Sequence, residues 1–183
     1  MWPWEHLSVG YLAYSTLCRM RGTAPPSGPA ALAVAAGTQF PDFVDKPLAW
    51  SLSILPSGSS LAHSVFTGVV LSVLGVQLAS RFGHRDVGVG FAVGYLAHLP
   101  ADAIYPALLG GEVKVRAFLW PLVTPPAPVQ TGFTDNVLYF VVRFLFFLAT
   151  PVGLVFLAAE ILLVGSAVVR WSRDGYPGIP HSG

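Results

Sequence analysis

The chain has 183 residues, of which 54% are hydrophobic and only 10% charged, with a formal net charge of +1 and a mean hydropathy of +0.63. Soluble domains carry about 25% charged residues, so this sequence is short of what a water-facing surface needs, and the near-neutral balance gives no reason to expect nucleic acid as a partner. Apolar runs close to the roughly 20 residues that cross a bilayer point instead to an all-α integral membrane bundle of four to five helices.

In chain order, "MWPWEHLSVG" has no basic n-region and does not read as a cleaved signal peptide. A first helix is expected over 5–20, broken by "RGTAPPSGP". Cys18 stands alone, which rules out an internal disulfide, and suits a small apolar filler. A short second segment, "AALAVAAGTQF", is expected to end at Pro41. Residues 41–60 read as a loop with one amphipathic turn around Trp50. The third helix is expected at 61–80 and the fourth at about 87–109, kinked at Pro100. A polar, Pro-rich excursion follows at 110–135.

The apolar stretch 137–169 would be roughly 50 Å long as one straight helix, more than the hydrocarbon core of about 30 Å. It should either kink at Pro151 or lay its first part along the interface. Three regions result: a helical membrane domain carrying a site at 1–135, one or two terminal membrane helices at 136–170, and a disordered tail at 171–183 that includes His181.

Arg19 and Arg21 follow the first helix, Arg81 and Arg85 the third, and Arg170 and Arg173 the last. With antiparallel neighbours these basic residues share one face, which the positive-inside rule makes cytoplasmic. The opposite, exterior face collects His6, Asp42, Asp45, His63, Glu112 and Asp135, with His98 and Asp102 in the half of the fourth helix nearer to it. Trp2, Trp4, Trp50 and Trp120 fall on that face too, where indoles suit an interface.

A carboxylate at the centre of a spanning helix costs about 2.5–3.5 kcal/mol, so Asp102 needs compensation. In "HLPAD", His98 and Asp102 are four apart and leave one helical face. They can share a metal ion or pair with each other. Asp42 and Asp45 in "FPDFVD", His63 in "SLAHS" and His6 in "WEHLSVG" bring further N and O donors from separate elements toward the same end. Zinc, manganese and non-haem iron all accept such mixed sets, and a catalytic zinc ion keeps an open position for water.

Other polar residues read as structural. Gly88, Gly90 and Gly94 suit close helix packing. Ser64 beside His63 does not make a nucleophile pair, because adjacent helix residues do not face each other. His84 reads as a solvated loop residue. Arg143 and Glu160 are expected near an interface or snorkelling toward it.

The pieces His6, "FPDFVDKP" (40–47), "LAHSVFTG" (61–68), "GYLAHLPADAIY" (94–105) and "FLWPL" (118–122) follow one another in an order that resembles the YdjM-like family of membrane-bound, predicted metal-dependent hydrolases. That family is in turn similar to the zinc-dependent phospholipase C and single-strand nuclease superfamily. The resemblance implies a phospholipase C/nuclease-like helical core. It also implies a primary metal, zinc foremost, held by His63, His98, Asp102 and one or both of Asp42 and Asp45, with His6 at a neighbouring metal. The superfamily's second HxxxD-like set has no counterpart here, which leaves one or two ions. The implied chemistry is hydrolysis of a phosphoester or lipid-like substrate by metal-activated water, with Asp42 or Asp45 accepting the proton. The competing expectation is a non-enzymatic transporter or scaffold bundle whose buried His and Asp lock an ion or a proton.

Overall fold

The computed structural model describes residues 1–109, 111–127 and 132–180. Among them there are six α-helices and one short 3-10 helix, with no strand: α1 (Pro3–Met20), α2 (Gly28–Trp50), α3 (Val65–Arg81), α4 (Arg85–Leu108), the 3-10 turn Arg116–Leu119, α5 (Phe133–Leu148) and α6 (Pro151–Arg173).

The central helix is α4, which packs on α1, α2 and α3, most broadly on α2. Small residues make that approach possible. A Cβ on Gly90 would lie 2.7 Å from the Ala30 carbonyl oxygen, and one on Gly94 would lie 2.4 Å from that of Val34. Gly88 does the same against α3, where a Cβ would meet Val76 Cα at 2.8 Å. The glycine run of α4 is therefore a packing seam, as its spacing suggests.

The second segment is longer than its prolines imply. It runs on through Pro41 and Pro47 to Trp50 as one helix, so Asp42 and Asp45 stand on a helix and not on a loop. Each proline deletes an i→i−4 hydrogen bond, but Pro41 is fully buried and Gly37 is pressed against the backbone of Phe91 in α4. Packing along α4 outweighs the two missing bonds. His63, conversely, lies in the turn ahead of α3 and not within the helix.

The last apolar stretch breaks at Thr150–Pro151 into α5 and α6. Thr150 caps α6, its hydroxyl accepting from Gly153 N at 3.0 Å, with Pro151 at the first position, where no N–H is needed. A Cβ on Gly153 would lie 1.9 Å from the Phe147 carbonyl oxygen, so the reversal depends on that glycine. The terminal segment also departs from the expected disorder. Through Pro180 it folds back, with Trp171 Nε1 donating to Pro177 O at 3.0 Å and Gly178 N against Gly28; His181 lies outside the described residues.

Two described helices, α4 and α6, are long and apolar enough to cross a membrane; α3 is apolar but shorter. The two run through the molecule with most of α6's apolar surface exposed. Arg19 meets Asp174 at 2.7 Å, and Tyr14 Oη donates to Asp86 O at 3.0 Å. These contacts gather the C-terminal ends of α1 and α6 with the start of α4, so the basic residues there do share one end of the bundle.

Candidate metal centre

Three elements deliver four side chains to one point. Asp42 comes from the middle of α2, His63 from the turn before α3, and His98 and Asp102 from one face of α4. One ligand atom from each lies within 4.8 Å of the others. His63 Nε2 is 3.2 Å from His98 Nε2, 3.3 Å from Asp102 Oδ2 and 3.5 Å from Asp42 Oδ1. His98 Nε2 is 3.6 Å from Asp102 Oδ2 and 3.9 Å from Asp42 Oδ1. A tetrahedral ion with ligands at about 2.0–2.1 Å separates those ligands by about 3.3–3.4 Å, and the separations around His63 Nε2 are close to that, while those of His98 Nε2 are somewhat longer.

The ring nitrogens facing away from the centre define what faces into it. His98 Nδ1 lies 2.7 Å from the carbonyl oxygen of Thr38, an acceptor only, so Nδ1 carries the hydrogen. His63 Nδ1 lies 2.8 Å from Asp45 Oδ2 and donates in the same way. The two Nε2 atoms then face each other across 3.2 Å. Either a metal ion bound to both nitrogens or a proton held between them makes that approach favourable. Two carboxylates face the same spot, and their summed charge is one that a divalent ion neutralises.

The carboxylates are held with one oxygen inward. Asp42 pairs through Oδ2 with Lys46, while its Oδ1 is buried with no hydrogen-bond partner among the described residues. Asp102 turns Oδ2 to the two histidines and Oδ1 to the Met1 amino group at 2.5 Å and His6 Nε2 at 3.1 Å. The side chain of Asp102 is 20% exposed, the most open of the four. These four residues could hold a metal ion.

Asp45 and His6 are close but differently placed. Asp45 is fully buried and accepts from Ser60 N at 2.7 Å, Ala62 N at 2.9 Å and His63 N at 3.2 Å, besides the His63 ring. It stands behind His63 and not in the four-donor set. His6 lies flat on the His98 ring, centroids 3.8 Å apart, on the far side of Asp102 Oδ1.

Sequence reasoning passes over two residues that set this geometry, Thr38 and Tyr95, and misplaces Glu160. Thr38 contributes its carbonyl oxygen, a backbone role that leaves no trace in residue type. Tyr95 Oη donates to Ala62 O at 2.7 Å and ties the 60–63 turn to α4; its place three residues before His98 is the one available signal. Glu160, expected near an interface, is 8% exposed and accepts from the indole Nε1 of Trp4. Ser64 donates to Trp120 O at 2.6 Å, a structural role.

No curated protein and no solved structure matches the chain. The family model described as "YdjM inner membrane protein" matches residues 1–175, which includes every side chain of the centre and both apolar helices. The chain belongs to the YdjM family of inner membrane proteins.

Proposed function

We propose that the chain is a membrane-embedded, metal-dependent hydrolase. Asp42, His63, His98 and Asp102 would hold a divalent ion, zinc foremost and manganese or iron as alternatives, and the substrate would be a phosphoester or lipid-like molecule. The observation that carries this reading is the pair of imidazole Nε2 atoms facing each other at 3.2 Å with both Nδ1 hydrogens committed elsewhere. A divalent ion shared by the two rings and the two carboxylates makes that arrangement favourable.

When bound, such an ion supplies Lewis acidity and an activated water at neutral pH. The chain's own residues position and exchange protons around it. Asp45 and the Thr38 carbonyl fix the two tautomers and ring orientations. Lys46 holds Asp42 by Oδ2 and so turns Oδ1 toward the other three donors, and Asp42 would take the proton from water only through a carboxylate oxygen that the ion leaves free. Asp45, with both oxygens engaged, is the weaker candidate for that role. By the likeness to the phospholipase C and nuclease superfamily, His6 would serve a neighbouring ion on the Oδ1 side of Asp102. The basic end of the bundle sets the cytoplasmic side by the positive-inside rule, so a multi-pass chain would open the centre toward the exterior.

The transporter reading needs a polar path from the centre to the basic end. That space is filled by an apolar cluster of Tyr14, Cys18, Ala30 and Val34, flanked by Leu17, Val89 and Val93, which favours the enzyme.

Metal analysis of the purified protein tests the reading. Wild-type protein should retain on the order of one divalent ion per chain, and His98→Ala and Asp102→Ala should each lose it. Hydrolysis of a phosphodiester such as bis(p-nitrophenyl) phosphate should follow the metal content. Wild-type protein that never retains a divalent ion would refute the centre. A full ion complement without any ester hydrolysis would refute the enzyme.

A further inference from the structure

The two membrane-length helices place the centre at the same depth independently. In α6 the apolar run 151–169 is about 28 Å long at 1.5 Å per residue, close to the hydrocarbon thickness, and Glu160 is its middle residue. Trp4 donates to Glu160, so Trp4 and the first turn of α1, with His6, are level with that midpoint and not at the interface expected of the indole. In α4 the apolar run is 87–108, and its middle falls at His98. The metal centre is thus recessed about 15 Å below the outer end of α4, alongside hydrocarbon and not at the headgroup surface.

At this depth the bundle has a lateral groove of about 530 Å³ between α1 and the α5–α6 hairpin, lined by Trp4, Phe144, Leu157, Glu160, Ile161 and Val164. Its walls are apolar apart from the Glu160 carboxyl. Trp2 lies against two of these lining rings, its centroid 5.3 Å from that of Trp4 and 4.8 Å from that of Phe144. One step beyond, Met1, His6 and Asp102 form the rim of the metal centre.

We infer that this groove holds the hydrocarbon chain of the substrate lipid, whose polar end turns past Trp2 and Trp4 to the metal centre. The inference rests on the hydrolase reading and adds the direction of entry. The occupant follows from depth: a groove open sideways at the middle of a spanning helix faces acyl chains and no aqueous ligand. A lipid so bound keeps its chain in hydrocarbon and commits only its scissile group to the polar interior. A water-soluble phosphoester would make no use of the groove.

The test uses cobalt-loaded, full-length protein in detergent micelles and two probes with the same metal-binding head, acetohydroxamate and dodecanohydroxamate, read by the cobalt d–d absorption. Val164→Trp fills the groove. It should weaken dodecanohydroxamate about tenfold or more, the equivalent of two methylenes losing their contacts, and leave acetohydroxamate unchanged. Leu162→Trp, on the exposed face of α6, should change neither, which separates groove filling from a bulky insertion into the helix. A Val164→Trp protein that binds both probes as the wild type does, or loses both equally, overturns the groove as chain site while leaving the metal centre standing. Failure of wild-type protein to take up cobalt overturns the centre itself, and the groove assignment with it.

Discussion

Asp45 shows how much of the centre lies outside its four donors. Its carboxylate collects three backbone N–H groups and the His63 ring, so one side chain builds the 60–63 turn and aims the imidazole. Loss of a ligand-orienting partner costs about 10–100-fold in metal affinity. Asp45→Ala should therefore keep the four donors but bind zinc 10–100-fold more weakly in competition with a chromophoric chelator. Asp45→Asn, which retains an acceptor oxygen, should recover part of the loss. At this scale the sequence was informative about residue types: His63, His98 and Asp102 announced themselves as polar groups in apolar surroundings. Asp42 and Asp45 could not be told apart, because which of two carboxylates three residues apart points inward depends on the helix they stand on, and Pro41 had disguised that helix as a loop.

At the scale of elements, the α2–α4 contact carries the centre, since Asp42 and the Thr38 carbonyl come from one helix and His98 and Asp102 from the other. Gly94 sets their separation, with room for no Cβ beside the Val34 carbonyl. Gly94→Leu should destabilise the protein by about 1–3 kcal/mol, the usual cost of overpacking, seen as a lower unfolding temperature in detergent. It should also reduce metal retention, because the donors would part even where the fold survives. Both helices were visible as apolar runs. Their ends were not, because local signals such as Pro41 and Pro47 are weaker than burial along a partner helix. The final stretch was the converse case: its excess length required a break, and Pro151 marked the place.

At the scale of the whole molecule, α6 is fastened to α1 at two levels. Trp4 bonds Glu160 at the middle, and Tyr11, Ser15 and Arg19 converge on Asp174 at the basic end, at 2.9, 2.5 and 2.7 Å. Burial of Asp174 opposes its charge, but these three donors more than offset that and hold the carboxyl below its usual range. A carboxyl depressed in the folded state stabilises the protein above its unfolded pKa of about 3.9, and that contribution fades as pH falls through the folded value. Asp174→Asn should thus cost about 1.5–3 kcal/mol near pH 7, the range for hydrogen bonds to a charged group. Unfolding temperatures of variant and wild type should converge as the pH drops below 4. Nothing in the sequence links residues 155 positions apart, which is why Glu160 was expected at an interface and the terminal segment was expected to be disordered.

Composition and periodicity by themselves settled that this chain is helical and belongs in a membrane, because the shortage of charge and the length of the apolar runs are properties of the chain before it folds. They also singled out the imidazole and carboxylate groups, since polar atoms in apolar sequence are costly wherever they end up. Only the tertiary structure decided which four of those groups meet, which nitrogen each histidine offers, and that the meeting point lies deep in the bundle. Those depend on helix crossings and backbone carbonyls, contacts between residues remote in the chain whose geometry no local pattern encodes.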